Sequence, residues 1–275
     1  MKDTFAYLFL RNYLQKLYIL YIVSDMKKGY DKEAKNGRTC MNAIILAAGV
    51  GHRMINLTKQ TNKTLLPIGG VPMIERTIQY LKQAGIEDIT VVTGHKKELF
   101  MPLKEKYAVQ LIYNKKYSVY NSLYSLKLVL NKLEDTFVIH GDVVLFKNFF
   151  MRQMNASTLY TIFKNPKGVP MMKIHKDEQY RLKQVEMCSV NERITTFLGI
   201  CYFTKEDSEM IKKYYETSIT EKKLRDYKGE LETELLPLLS DRMVVHHVDN
   251  RYAMEINVMD DYYQACIKYE NFWKP

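Results

Sequence analysis

The sequence predicts an α/β protein, a Rossmann-like, mostly parallel (mixed) sheet with helices on both faces. Three observations lead there. Short apolar runs alternate with amphipathic segments of helical period along residues 42–140. The first run, Asn42–Ala48, passes directly into a glycine loop, Gly49-Val50-Gly51. Finally, 47% hydrophobic and 12% aromatic residues are enough for a full-sized core and lie far from disordered composition.

From the N-terminus, Phe5–Val23 is rich in Leu, Ile, Tyr and Phe but is broken by Arg11, Asn12, Gln15 and Lys16. Two cations near the middle of a spanning helix would cost about 2.5–3.5 kcal/mol each, so no membrane span is expected. The segment reads as an amphipathic helix that packs on the body, on a partner chain in a homo-oligomer, or weakly on a membrane surface. Asp25–Arg38 is charged and reads as a linker, which makes residues 1–40 an extension and 41–275 the compact domain, with halves 41–150 and 151–275.

In the first half, Asn42–Ala48 reads as a buried strand. A helix follows over Met73–Ala84, with Met73, Ile74, Thr77, Ile78 and Leu81 on one face and Gly85 as its stop. Asp88–Thr93 is a strand, Lys96–Tyr107 a helix made irregular by Pro102, and Val109–Tyr113 a strand. Leu123, Leu126, Leu130 and Leu133 predict a helix over Asn121–Leu133, and Thr136–His140 a fourth strand. The second half adds strands near 157–163, 171–175, 183–187 and 197–203, then helices near 205–217 and 230–240. Late strands follow at Val244–Val248 and Ala253–Ile256, and a final helix at Val258–Glu270. In such sheets ligands sit at the carboxyl ends of strands, here the loop after Ala48, the region Asn114–Asn121, and Gly141-Asp142.

With 41 Lys+Arg against 31 Asp+Glu, the formal charge is +10. The lysines are scattered over amphipathic segments without a recognition motif, so a solvated surface is expected and no nucleic-acid partner. The cysteines at 40, 188, 201 and 266 form no Cys-x-x-Cys pair, which reads as reduced thiols in a cytoplasmic protein. No His-Glu-x-x-His occurs among the six histidines, which argues against a metal held mainly by nitrogen or sulfur.

The loop Ala47-Ala48-Gly49-Val50-Gly51-His52-Arg53-Met54 lets backbone N–H groups approach an anionic oxygen. It is not a dinucleotide loop, since Met54 stands where a third Gly or Ala is required. It is not a P-loop either, because Lys63-Thr64 follows Asn62. The longer string from Leu46 to Arg53, with Leu57-Thr58, Lys63, Leu65-Leu66-Pro67-Ile68 and Pro72-Met73-Ile74-Glu75, resembles the signature of the nucleotidyltransferases that make sugar-nucleotides and CDP-alcohols. Asn62 departs from it by standing where the family has Pro. Tyr113-Asn114, Tyr117 and Tyr120-Asn121-Ser122 with Tyr124-Ser125-Leu126 bring the likeness nearest to the bacterial choline-phosphate cytidylyltransferases.

The resemblance implies a fold of the nucleotide-diphospho-sugar transferase type, with a nucleotide-binding half (41–150) and an acceptor-binding half (151–275). It implies CTP and a phosphocholine-like phospho-alcohol as substrates, and Mg²⁺ as cofactor. Leu46, Ala47, Ala48, Gly49, Gly51, Arg53, Asn121 and Ser122 would bind nucleotide, with Arg53 and the loop amides on the departing phosphates. Lys63 would approach the α-phosphate and the acceptor phosphate, making Arg53, Lys63 and Asp142 the catalytic set.

Asp142 matches the metal-binding Asp of the family. At the second metal position, in Glu255-Ile256-Asn257, this chain has Asn257 where Asp is expected. If Asn257 faces the metal, Asn257→Asp should tighten Mg²⁺ dependence and raise turnover. Tyr117, Tyr120, Tyr124 and Glu255 offer rings and a carboxylate for the acceptor's ammonium. The only Trp, Trp273, is not where the choline enzymes carry theirs. Ethanolamine phosphate, a phosphonate and a sugar 1-phosphate therefore stay open as acceptors, as does a nucleotide-binding module impaired by Asn62 and Asn257.

Overall fold

The computed structural model describes residues 41–226 and 231–273. The expected N-terminal helix and linker, within residues 1–40, lie outside the described residues. Strand β1 (Asn42–Ala47) is followed by the two-residue strands β2 (Pro67–Ile68) and β3 (Val71–Pro72), then β4 (Asp88–Thr93), β5 (Gln110–Tyr113), β6 (Thr136–His140) and β7 (Val143–Leu145). The second half contributes β8 (Thr158–Lys164), β9 (Met171–Lys176), β10 (Leu182–Cys188), β11 (Ile194–Phe203), β12 (Val244–His247) and β13 (Ala253–Glu255).

Seven of these form one mixed sheet in the order β12-β8-β11-β6-β1-β4-β5. β1 lies between β4 and β6, parallel to both, with Leu46 opposite Val92 and His140. β11 enters antiparallel to β6 and β8. The sheet is covered on both sides. Ala43 and Ile45 pack with Ile74, Ile78 and Leu81 on one face, while Ile44 packs with Leu123, Leu126 and Val138 on the other. A strand buried on both faces reads as an unbroken apolar run, which is why NAIILA shows no alternation.

Two expected helices are each divided in the structure. Lys96–Tyr107 divides into a 3-10 turn, Lys97–Phe100, and the helix Met101–Tyr107, because Pro102 fits only a first turn. Asn121–Leu133 divides into the helix Ser122–Lys127 and a 3-10 turn, Leu130–Lys132. Between them β-branched Val129 leaves helical geometry at φ −126° and buries its side chain. The leucine repeat still serves the core, but through two pieces.

Strand β7 was not foreseen, being three residues long. It pairs antiparallel with β13, placing Glu255 opposite Val143, and Ile256 N–H donates to Asp142 O at 2.9 Å. That pairing carries the C-terminal segment to the end of β6. Gly199 permits it from the neighbouring strand: its φ is +92°, and a Cβ there would lie 2.7 Å from Val143 Cγ2. The final helix, Met259–Trp273, starts where Asp261 accepts from the N–H groups of Asn257 and Val258. Among the described residues no helix is long and apolar enough to cross a membrane.

Candidate active site

At the carboxyl ends of β1 and β6 an open cleft of about 260 Å³ is lined by Leu46, Ala47, Ala48, Gly49 and Gly51 from the glycine loop. Lys63, Asp142, Tyr120, Asn121 and Ser122 complete the expected part of its wall. The loop turns tightly at Gly51, whose φ of +69° strains any residue with a Cβ, and a Cβ would also come within 3.2 Å of Lys63 Cβ.

Lys63 opens a 3-10 turn, Lys63–Leu65, whose N-cap is Asn62. Its Nζ donates to Asp142 Oδ2 at 2.6 Å and to Ile256 O at 3.0 Å. Burial pushes the Asp142 carboxyl up, but the Lys63 ammonium and His140 beside it outweigh burial and hold it below the usual carboxylate range. The other oxygen, Oδ1, is buried and has no hydrogen-bond partner.

Arg53 and Asn257 meet each other in an exposed contact and are not part of the cleft wall. Arg53 Nη2 donates to Asn257 Oδ1 at 2.8 Å, so the amide oxygen expected to face a metal is engaged by a guanidinium. Asn121 caps the helix Ser122–Lys127, accepting from Leu123 N, and its Nδ2 reaches Lys223 O at 2.7 Å and Asp226 O at 2.9 Å. Ser122 Oγ accepts from Leu231 N at 2.9 Å. These two side chains thus tie the cleft to the segment after residue 220.

Three of the residues expected to receive an ammonium group already face cations of the chain itself. Lys116 Nζ lies 4.9 Å from the Tyr120 ring and 5.7 Å from the Tyr124 ring, and the Arg225 guanidinium lies 5.2 Å from Tyr120. Tyr120 also donates its hydroxyl proton to Glu221. Glu255 is ion-paired with Lys164 at 2.8 Å. Neither Tyr124 nor Glu255 lines the cleft.

Tyr117, one of the three expected rings, lines the cleft, and four further lining residues were not singled out by the sequence, namely Thr64, Asn114, Ser125 and His140. Asn114 and Ser125 stand in the quoted tyrosine-asparagine segment, and His140 directly precedes Gly141-Asp142, so position was the available signal. The Glu232 carboxylate that faces His140 at 3.7 Å comes from a remote helix and leaves no mark near residue 140.

The arrangement offers the glycine loop, the Lys63 cation and one partly buried carboxylate in the wall of one cleft, with Arg53 two residues beyond Gly51, which suits a polyanionic ligand. The MobA-like NTP transferase domain matches residues 43–174. Over 231 residues the chain is 34% identical to a choline-phosphate cytidylyltransferase of Haemophilus influenzae, covering 83% of this chain and 97% of that one. Over 243 residues it is 32% identical to a choline-phosphate cytidylyltransferase of Streptococcus pneumoniae, covering 84% and 100%. A solved CTP:phosphocholine cytidylyltransferase from Streptococcus pneumoniae superposes with a TM-score of 0.72 at 30% identity, covering 82% of this chain and 98% of that one. The mixed sheet with its glycine-loop cleft is therefore a nucleotidyltransferase fold, and the chain belongs to the nucleotidyltransferase family of the bacterial choline-phosphate cytidylyltransferases.

Proposed function

We propose that the protein transfers a cytidylyl group from CTP to the phosphate of a small phosphocholine-like phospho-alcohol, giving a CDP-alcohol and pyrophosphate. An acceptor phosphate oxygen attacks the α-phosphorus, a new P–O bond forms, and the bond to the β-phosphate breaks with its electron pair leaving on pyrophosphate. The nucleophile is already ionised, so the protein's task is to align like charges and offset their repulsion. The observation that carries this reading is the Lys63–Asp142 pair at the mouth of the glycine-loop cleft.

In this reading the loop from Ala47 to Gly51 and Arg53 receive the β- and γ-phosphates, and Lys63 exchanges Asp142 for the α-phosphate and the incoming acceptor phosphate. Among the described residues no group of three or more His, Cys, Asp or Glu side chains could hold a metal. The buried, unpartnered Oδ1 of Asp142 nevertheless fits Mg²⁺ that arrives with the triphosphate, since Mg²⁺ is commonly held by one or two carboxylates plus substrate phosphates. When bound, the ion would neutralise charge on the phosphates. We place the reaction in the cytoplasm, with no nucleic acid involved.

The test is pyrophosphate release over a matrix of CTP, UTP and dTTP against phosphocholine, phosphoethanolamine, an aminoalkyl phosphonate and a sugar 1-phosphate, with Mg²⁺. Release with CTP and a phospho-alcohol is expected. Release only with a sugar 1-phosphate, or none with any pair, would overturn the proposal.

A further inference from the structure

We infer that Asn62 is the positioning residue that locks the phosphate loop and Lys63 into one frame, so that its departure from proline organises the site instead of impairing it. The inference rests on the reading of the cleft as the triphosphate site. Asn62 is fully buried, and a buried amide is costly unless its hydrogen bonds are made. All of its groups are used. Nδ2 donates to the carbonyls of Ala47 at 3.2 Å, Gly49 at 3.3 Å and His95 at 3.0 Å. Oδ1 accepts from Thr64 N and from Thr64 Oγ1, both at 2.9 Å. Two N–H bonds serve three carbonyls, so one of them is shared.

These contacts join four places. Ala47 ends β1, Gly49 lies in the glycine loop, His95 follows β4, and Thr64 sits in the turn that carries Lys63. A helix cap needs only the bond from Thr64 N. The three donations to carbonyls are additional, and they act on the loop. Because a trans peptide is planar with its C=O and N–H opposed, drawing the Ala47 and Gly49 carbonyls onto Asn62 turns the Ala48 and Val50 N–H groups away from it. The side chain thereby sets the direction in which the loop presents donors. On its other side it fixes the turn from which Lys63 reaches Asp142.

Proline could replace the backbone but not this function. Asn62 has φ −86° and ψ 144°, close to the range that proline occupies. Asn62→Pro would therefore keep the chain trace and delete all five side-chain bonds. Asn62→Asp, of the same shape, would keep the acceptor for Thr64 and abolish the three donations.

The experiment measures CTP dissociation constants by calorimetry with Mg²⁺ and no acceptor, together with kcat, KM and thermal midpoints, for wild type, Asn62→Pro and Asn62→Asp. Both folded variants should bind CTP about tenfold more weakly, the size expected when a preorganised donor array is loosened. A residue that only scaffolds would lower the midpoint while leaving the CTP constant of the folded protein unchanged. CTP binding within twofold of wild type in folded Asn62→Asp overturns the inference, and that variant decides the matter if Asn62→Pro does not fold. A wild type that binds CTP but releases no pyrophosphate with any acceptor sinks the transferase proposal while leaving Asn62 tested by binding. A wild type that binds no triphosphate removes both.

Discussion

Lys63 and Asp142 form a 2.6 Å ion pair, although 79 residues separate them in sequence, where the turn after the glycine loop meets the end of β6. Their side chains are only 13% and 20% exposed, so removing one partner strands the other in a poorly solvated place. Lys63→Met should cost on the order of 3 kcal/mol in urea unfolding. It should also lower kcat/KM at least about a hundredfold, since it deletes a positioned charge on the reacting phosphates. The double variant Lys63→Met with Asp142→Asn should recover most of the stability and none of the activity. Full recovery of activity would remove the pair from the chemistry.

The same pair makes an acid signature. The folded Asp142 carboxyl lies below its ordinary value of 3.8, so its contribution is complete above that value and is lost as pH falls through the folded one. Thermal midpoints from pH 7 to pH 2 should show wild type keeping its advantage over Asp142→Asn down to about pH 4 and surrendering it below. An advantage that instead vanishes between pH 7 and 5 would contradict the depressed carboxyl.

A site with one available carboxylate should not hold a divalent cation by itself. Mg²⁺ alone should leave the thermal midpoint almost unmoved, whereas Mg²⁺ should tighten CTP binding measured by calorimetry. Asp142→Asn should erase that Mg²⁺-dependent increment. A rise of several degrees with Mg²⁺ alone would point to a protein-built metal site.

Asn257 was read from sequence as a weakened metal ligand, but its amide oxygen accepts from Arg53. A carboxylate there would hold Arg53 in an exposed ion pair worth about 0.2–1 kcal/mol. Asn257→Asp should therefore raise the KM for CTP by up to about fivefold, because Arg53 must leave that pair to meet phosphate. Higher turnover with sharper Mg²⁺ dependence would show instead that residue 257 turns toward the cation.

Lys164 occupies Glu255, the carboxylate expected to meet an acceptor ammonium. Lys164→Ala should lower the KM for phosphocholine several-fold and leave the KM for CTP unchanged. If phosphocholine use is unaffected, Glu255 lies outside the acceptor path.

Local signals were legible and remote ones were not. β1, β4 and β6 could be read because strands buried on both faces carry apolar runs with few polar interruptions. The glycine loop and Asp142 could be read because each follows a strand end, and Lys63 because it belongs to the longer motif string. The break at Val129 could not, since the leucines keep helical spacing on both sides of it. Arg53–Asn257 spans 204 residues and Lys164–Glu255 spans 91, so nothing near either partner announces the other. Asn62 misled for a different reason. As a letter it is a lost proline, and only its burial and five partners reveal its use.

The β7–β13 pairing works as a clasp on the cleft. It delivers Ile256, whose carbonyl receives Lys63, and Asn257, whose amide oxygen receives Arg53. Were β13 to lift from β7, Arg53 would lose that partner and Lys63 would keep only Asp142, while the parallel centre of the sheet stayed paired. A short two-stranded ribbon far along the chain thereby governs how firmly both cations are held.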